Sequence, residues 1–229
     1  MGNNMKSLIA AAGLVLIAPA AMAATATFDL SLSPGQSTNH GSLPLSFSLT
    51  EGGVTANFSA GAFTDYTAPI SGSNRIFTSV SLASDPRIGR YDQGAGVVNS
   101  PTDNDHQVDG SGWADFILID FGQDVTITSI SFGLFGRDDD FRWMYDSNND
   151  NMIGVGDFLS FLQDDNPFSG FGGTTSNLFA IGAFDSDDEW KLKTVSIEYT
   201  APVPLPAGGL LLLSALGGVA ALRRRRKAA

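Results

Sequence analysis

Eight short runs between Ala26 and Thr200 alternate apolar and polar residues, and that period of two points to half-buried β-strands. They are "ATFDLSLS", "LPLSFSLT", "VTANFSAGAF", "NRIFTSVSLA", "DFILIDFG", "VTITSISFGLF", "NLFAIGAF" and "WKLKTVSIEYT". Each is rich in Val, Ile, Thr or Phe and is bounded by Gly, Ser, Asn or Asp, the residues that make turns. Gly122-Gln123-Asp124, between the fifth and sixth runs, reads as a hairpin loop. Long amphipathic helical patterns are missing outside the two ends of the chain. The expectation is therefore an all-β fold: a single antiparallel β-sandwich or jelly-roll domain over residues 24–202. The chain has no cysteine, so no disulfide, thiolate ligand or thiol nucleophile is available. A core built from roughly 180 residues is large enough to hold such a domain unaided.

The two ends follow another rule. Residues 1–23 carry Lys6 as their one charge, then an apolar stretch, then Ala21-Met22-Ala23. That order of basic, apolar and small-residue regions is a secretory signal helix, with cleavage expected between Ala23 and Ala24. At the other end, Pro206 to Leu222 is a run of 17 residues without a charge. As a helix it would be about 25 Å long, at the short limit for crossing a bilayer. Arg223, Arg224, Arg225, Arg226 and Lys227 follow at once. A basic cluster beside an apolar span stops translocation and stays in the cytoplasm. The precursor is thus expected to span the inner membrane once, through a transmembrane helix at 206–222, with its body outside.

The last residues, "VPLPAGGLLLLSALGGVAALRRRR", resemble the VPLPA variant of the PEP-CTERM sorting signal. The sorting motif is Val203, Pro204, Leu205, Pro206 and Ala207, followed by the apolar span and the basic tail. In that family an exosortase, a membrane-embedded cysteine protease of Gram-negative bacteria, recognises the tail. The resemblance implies processing near 203–207 and a mature protein at the cell surface or in the extracellular matrix. Signal peptidase and exosortase would be its processing partners, and the inner membrane a transient one. A permanent C-terminal anchor is the other reading. Two further stretches, Gly94 to Gly133 with its "HQVDG" turn and "DDEWKLKTVSIEYT" before the motif, also resemble exosortase-dependent surface proteins. They imply an extracellular β-sandwich and no defined activity.

Between the two processed ends lie seven basic and all 24 acidic residues, a net charge of −17. Such a surface repels nucleic acid and anionic lipid and suits association with divalent cations. One stretch has the spacing for it. In "DSNNDNMIGVGD", Asp146 to Asp157, oxygen side chains fall at positions 1, 3, 5 and 12 as Asp146, Asn148, Asp150 and Asp157. Met152 would offer its backbone carbonyl at position 7, and Ile153 is the aliphatic residue at position 8. This is the arrangement of an EF-hand or dockerin-type calcium loop, in which alternate residues turn hard oxygen ligands toward one ion. Asn151 stands where glycine is usual, and Asp157 where glutamate is. The preceding "FRWMY" reads as a strand and the following "FLSFLQ" as one helical turn, so the loop is expected between strands rather than between two helices. A plain polar hairpin tip uses the same residue types.

Other candidates are weaker. The acid clusters "RDDDF" (137–141) and "DSDDEW" (185–190) suit solvated loops, further calcium ligands or a glycosidase-like carboxylate pair. His40 and His106, the two histidines, lack a zinc-site spacing and read as turn residues. No nucleophile elbow is present. Trp143 and Trp190 read as core, whereas Trp113 in "DGSGWADF" is a candidate platform for stacking a sugar ring. The expectation is a non-enzymatic structural or adhesive protein with a structural calcium ion. The alternatives are a calcium-braced carbohydrate-binding module recognising exopolysaccharide or envelope components, and a secreted hydrolase.

Overall fold

The computed structural model describes residues 22–68, 76–103, 105–201 and 215–217. It divides into two compact units, Ala23–Thr200 and a second made of Met1–Met22 with Ala201–Ala229. Of the second unit the described part is Met22, Ala201 and one helical turn at 215–217. The expected signal helix and membrane helix otherwise lie outside the described residues. Among these, no helix is long and apolar enough to cross a membrane.

The first unit is all-β and antiparallel, as the alternating runs require. Its strands are β1 (Met22–Asp29), β2 (Ser46–Glu51), β3 (Val54–Thr67), β4 (Ser79–Leu82), β5 (Arg87–Tyr91) and β6 (Gly94–Val98). There follow β7 (Val108–Asp109), β8 (Ala114–Gly133), β9 (Arg142–Tyr145), β10 (Phe158–Leu159), β11 (Thr175–Gly182) and β12 (Glu189–Ala201). One hydrogen-bonded network joins them in the order β10-β9-β11-β8-β12-β6-β5. β3 branches off β8 and carries β2 and β4, while β1 and β7 pair with β12. β5 and β6 approach β3 without hydrogen-bonding to it, so the sheet turns back over its own apolar face.

At 20 residues β8 is the longest strand, and it overturns the expected hairpin at Gly122-Gln123-Asp124. The chain does not reverse there. β11 pairs with β8 on both sides of the turn, Leu178 with Asp120 and then Ser176 with Val125. The intervening residues of β8 are an insertion into a continuous ladder, a bulge rather than a hairpin. Gly122 makes it possible with φ +62°, and Asp120 Oδ1 accepts its N–H at 2.8 Å. "DFILIDFG" and "VTITSISFG" are therefore one strand with two partners in succession. Its first half pairs with β3 and its second with β12.

The expected helical turn in "FLSFLQ" is also absent. Phe158–Leu159 is the short strand β10, paired with Tyr145 and Met144 of β9. Ser160 continues the match, since its Oγ accepts the Trp143 N–H at 2.9 Å. The exposed edge of β9 recruits these residues and leaves no helix to form. β5 and β6 were not among the eight alternating runs, because "GAGVV" is buried at every position. Gly96 shows why that segment is glycine-rich: a Cβ there would lie 2.1 Å from the His106 carbonyl oxygen. The missing side chain lets the 99–109 loop close onto β6, where Val97 N–H donates to Gln107 O at 3.0 Å.

The core is aromatic. Phe63, Phe77, Phe116, Met144, Leu159 and Ile153 share one buried cluster. Trp190 is fully buried at 0 % exposure, with Phe132 at 4.7 Å between ring centroids. Trp143 is buried as well. Both tryptophans are core, as their strand-like settings predict.

Candidate metal centre

Residues 146–157 connect β9 to β10, so the candidate calcium loop sits on a hairpin stem. Three side chains fix the stem: Met144, Leu159 and, from within the loop, Ile153, each 5 % exposed or less. Ile153 at position 8 is thus the loop's anchor in the apolar core. The first and last residues organise the backbone. Asp146 is buried, with Oδ1 accepting the Asp150 N–H at 3.2 Å and Oδ2 the Asn151 N–H at 2.8 Å. Asp157, at 0 % exposure, accepts from Ser147 and Asn148 on Oδ1 and from Gly154 on Oδ2. Asn149 and Asn151 take φ of 60° and 61°. Asn151 therefore adopts the left-handed conformation that glycine usually supplies, which a short polar side chain tolerates.

Asp146, Asp150 and Asp157 each bring an oxygen within 4.8 Å of the other two. Ca–O bonds of about 2.4 Å place opposite ligands about 4.8 Å apart, so the three fit a single coordination shell. The donor set is all oxygen, which suits a hard cation and not zinc or copper. Burial pushes the Asp157 carboxyl above the usual carboxylate range against its three backbone hydrogen bonds, and the charge of Asp146 adds to the push. A bound cation would relieve both effects.

The other two expected ligands, Asn148 and Met152, are placed by hydrogen bonds to Asp150. Asn148 gives its Nδ2 to Asp150 Oδ2 at 3.1 Å and to the Val155 carbonyl at 3.2 Å. Met152 has an exposed side chain and donates its N–H to Asp150 Oδ1 at 3.0 Å. The expected sorting motif at 203–207 and the basic residues 223–227 lie outside the described residues. Ala23 and Ala24 fall within β1, next to its first residue.

Trp113 is half-buried at the edge of a cleft of ≈ 180 Å³ with Tyr66 and Phe184. That volume is below the roughly 300–1,000 Å³ usual for small-molecule sites. His40 is buried with Nε2 at 2.8 Å from the Asp85 carbonyl, and His106 turns the backbone at φ 45°. The two acid clusters meet each other. Asp188 accepts N–H groups from Asp140, Phe184 and Asp185, while Asp139 accepts from Glu189 and Gly136. The carboxylates of Asp139 and Asp188 thus cap backbone amides and tie the two loops together, whereas Asp140 Oδ1 is buried without a partner. Burial, with Asp188 beside it, pushes Asp140 up to about 7. No known protein family, curated protein or solved structure matches the chain.

Proposed function

We propose that this chain is a non-catalytic, exported β-sandwich module of the bacterial surface or extracellular matrix, with one structural calcium ion in its 146–157 loop. The observation that carries the reading is the convergence of Asp146, Asp150 and Asp157 on a loop clipped to the core by Ile153. The sorting signal resemblance supplies the destination, and the acidic body the preference for divalent cations outside the cell. Signal peptidase and exosortase process the ends. The role of the mature body is structural or adhesive, among polysaccharide and envelope components. The calcium locks the β9–β10 hairpin tip, which otherwise holds three converging carboxylates by backbone amides and the Asn148 side chain.

The loop is tested by thermal unfolding of the purified chain with calcium and with chelator. Calcium in tenfold excess over its Kd contributes about 1.4 kcal/mol, or about 3–5 °C for a domain of this size. Asp146→Ala shrinks that shift; a shift that survives whole in the variant rejects the loop as the site. Processing is tested separately by mass spectrometry of surface material. The expected C-terminal peptide ends at or before Ala207. Recovery of the Arg223–Lys227 cluster on mature protein would make the tail a standing anchor instead.

A further inference from the structure

A second unusual polar group lies at the start of β8. Asp115 is wholly buried at 0 % exposure. Its Oδ1 accepts a hydrogen bond from Asn99 Nδ2 at 3.1 Å; the Asp109 backbone N–H lies near the carboxyl as well, yet Oδ2 has no hydrogen-bond partner. A buried carboxylate oxygen left unpaired is costly, which is why such oxygens are nearly always matched by donors, ions or water. Around it the chain gathers more carboxylates, not fewer. Asp103 and Asp109 each place an oxygen within 4.8 Å of Asp115 and of each other. Beside them lies a cavity of ≈ 300 Å³ walled by Asn99, Ser100, Thr102, Asp103, Asp109 and Ser111, every one an oxygen-bearing residue.

We infer that Asp103, Asp109 and Asp115 form a second calcium site, which fastens the 99–111 loop to β8. The donors are oxygens alone, and the cavity leaves room for the waters that complete a shell of six to eight ligands. Asp103 and Asp109 are already fixed in place. Asp103 accepts the N–H of Asn99 at 2.8 Å and of Asp105 at 3.0 Å, and Asp109 accepts that of Ser111 at 2.8 Å. Lys191, whose charge bears on this loop, is engaged elsewhere: its Nζ donates to the His106 carbonyl and sits over the Tyr91 ring at 4.6 Å. The competing arrangement is a protonated Asp115. Burial, and the Asp109 charge after it, holds that carboxyl well above the usual range.

The inference is independent of the 146–157 loop, and calcium counting separates the two. Equilibrium dialysis of the full chain with radioactive calcium at neutral pH is carried out on wild type, Asp115→Asn, Asp103→Asn and Asp146→Ala. Asp115→Asn is expected to lose one bound calcium per chain, its affinity falling by about 100-fold, the upper end of what losing even an outer-sphere partner costs. Asp103→Asn, in a less buried position, weakens the same ion by at least about tenfold and decides the matter if Asp115→Asn misfolds by circular dichroism. Asp146→Ala leaves this ion in place. If Asp115→Asn loses an ion and Asp146→Ala does not, the second site stands and the loop fails. If Asp115→Asn and Asp103→Asn bind as much calcium as wild type at equal affinity, Asp115 is simply protonated and the inference is overturned.

Discussion

Trp190→Ala is expected to cost the domain about 3–5 kcal/mol, the range for emptying a core site of a large aromatic. The residue is fully buried in β12, and its ring meets Phe132 at 4.7 Å and Phe141 at 6.4 Å between centroids. Its Nε1–H also donates to the Asp140 carbonyl at 3.0 Å, holding the 137–141 loop against the sheet. Alanine removes ring and donor together, so a cavity opens and a carbonyl loses its partner. Against a total stability of about 5–15 kcal/mol that is about a fifth or more. Urea unfolding followed by fluorescence and circular dichroism should show a lower midpoint with an unchanged slope. Trp190→Phe keeps most of the volume and should cost about 1–2 kcal/mol. A midpoint that does not move in Trp190→Ala would mean that the β12–β8 seam is not where the domain is held.

Asp157→Ala should be the most damaging change among the loop's polar residues, by about 2–4 kcal/mol, from the cost of stranding its hydrogen-bond donors. Its carboxylate takes N–H groups from Ser147 at 2.9 Å, Asn148 at 3.4 Å and Gly154 at 2.8 Å, at a position with no exposure to solvent. Removing it loosens both sides of the loop at once. The loss should appear in chelator as well as in calcium, because these bonds do not involve an ion. Asp157→Asn retains one acceptor oxygen and should cost about 1 kcal/mol. Equal stability of Asp157→Ala and wild type in chelator would show that the loop is not organised by this carboxylate.

The strands were legible because alternation is a local property. Val195, Ile197 and Tyr199 face inward while Thr194, Ser196 and Glu198 do not, and a period of two says so without reference to any partner. Where the pattern breaks, reading stops. Gly122-Gln123-Asp124 has the composition of a reversal, and only the pairing of β11 across it distinguishes a bulge from a hairpin. β6 is buried on both faces, so its small residues carry no alternation at all. The candidate sites divide in the same way. The 146–157 loop was visible because all its oxygens lie within one turn-rich segment of regular spacing. Asp115 was read only as a strand residue, since its neighbours Asp103 and Asp109 reach it through tertiary folding of the 99–109 loop against β6. The nearest hint in the sequence is a carboxylate among "WADFILI", an acidic residue at the buried end of an apolar strand.

The position of β12 has a mechanical side. It ends at Ala201, just before the proposed sorting segment in the chain, and lies alongside β8 for most of its length, with β1, β6 and β7 as further partners. Antiparallel ladder bonds stand perpendicular to the strands. Tension applied at Ala201 therefore loads many of them together in shear, instead of peeling them apart one by one from an edge. A tether attached there would pull on a strand bonded to four others.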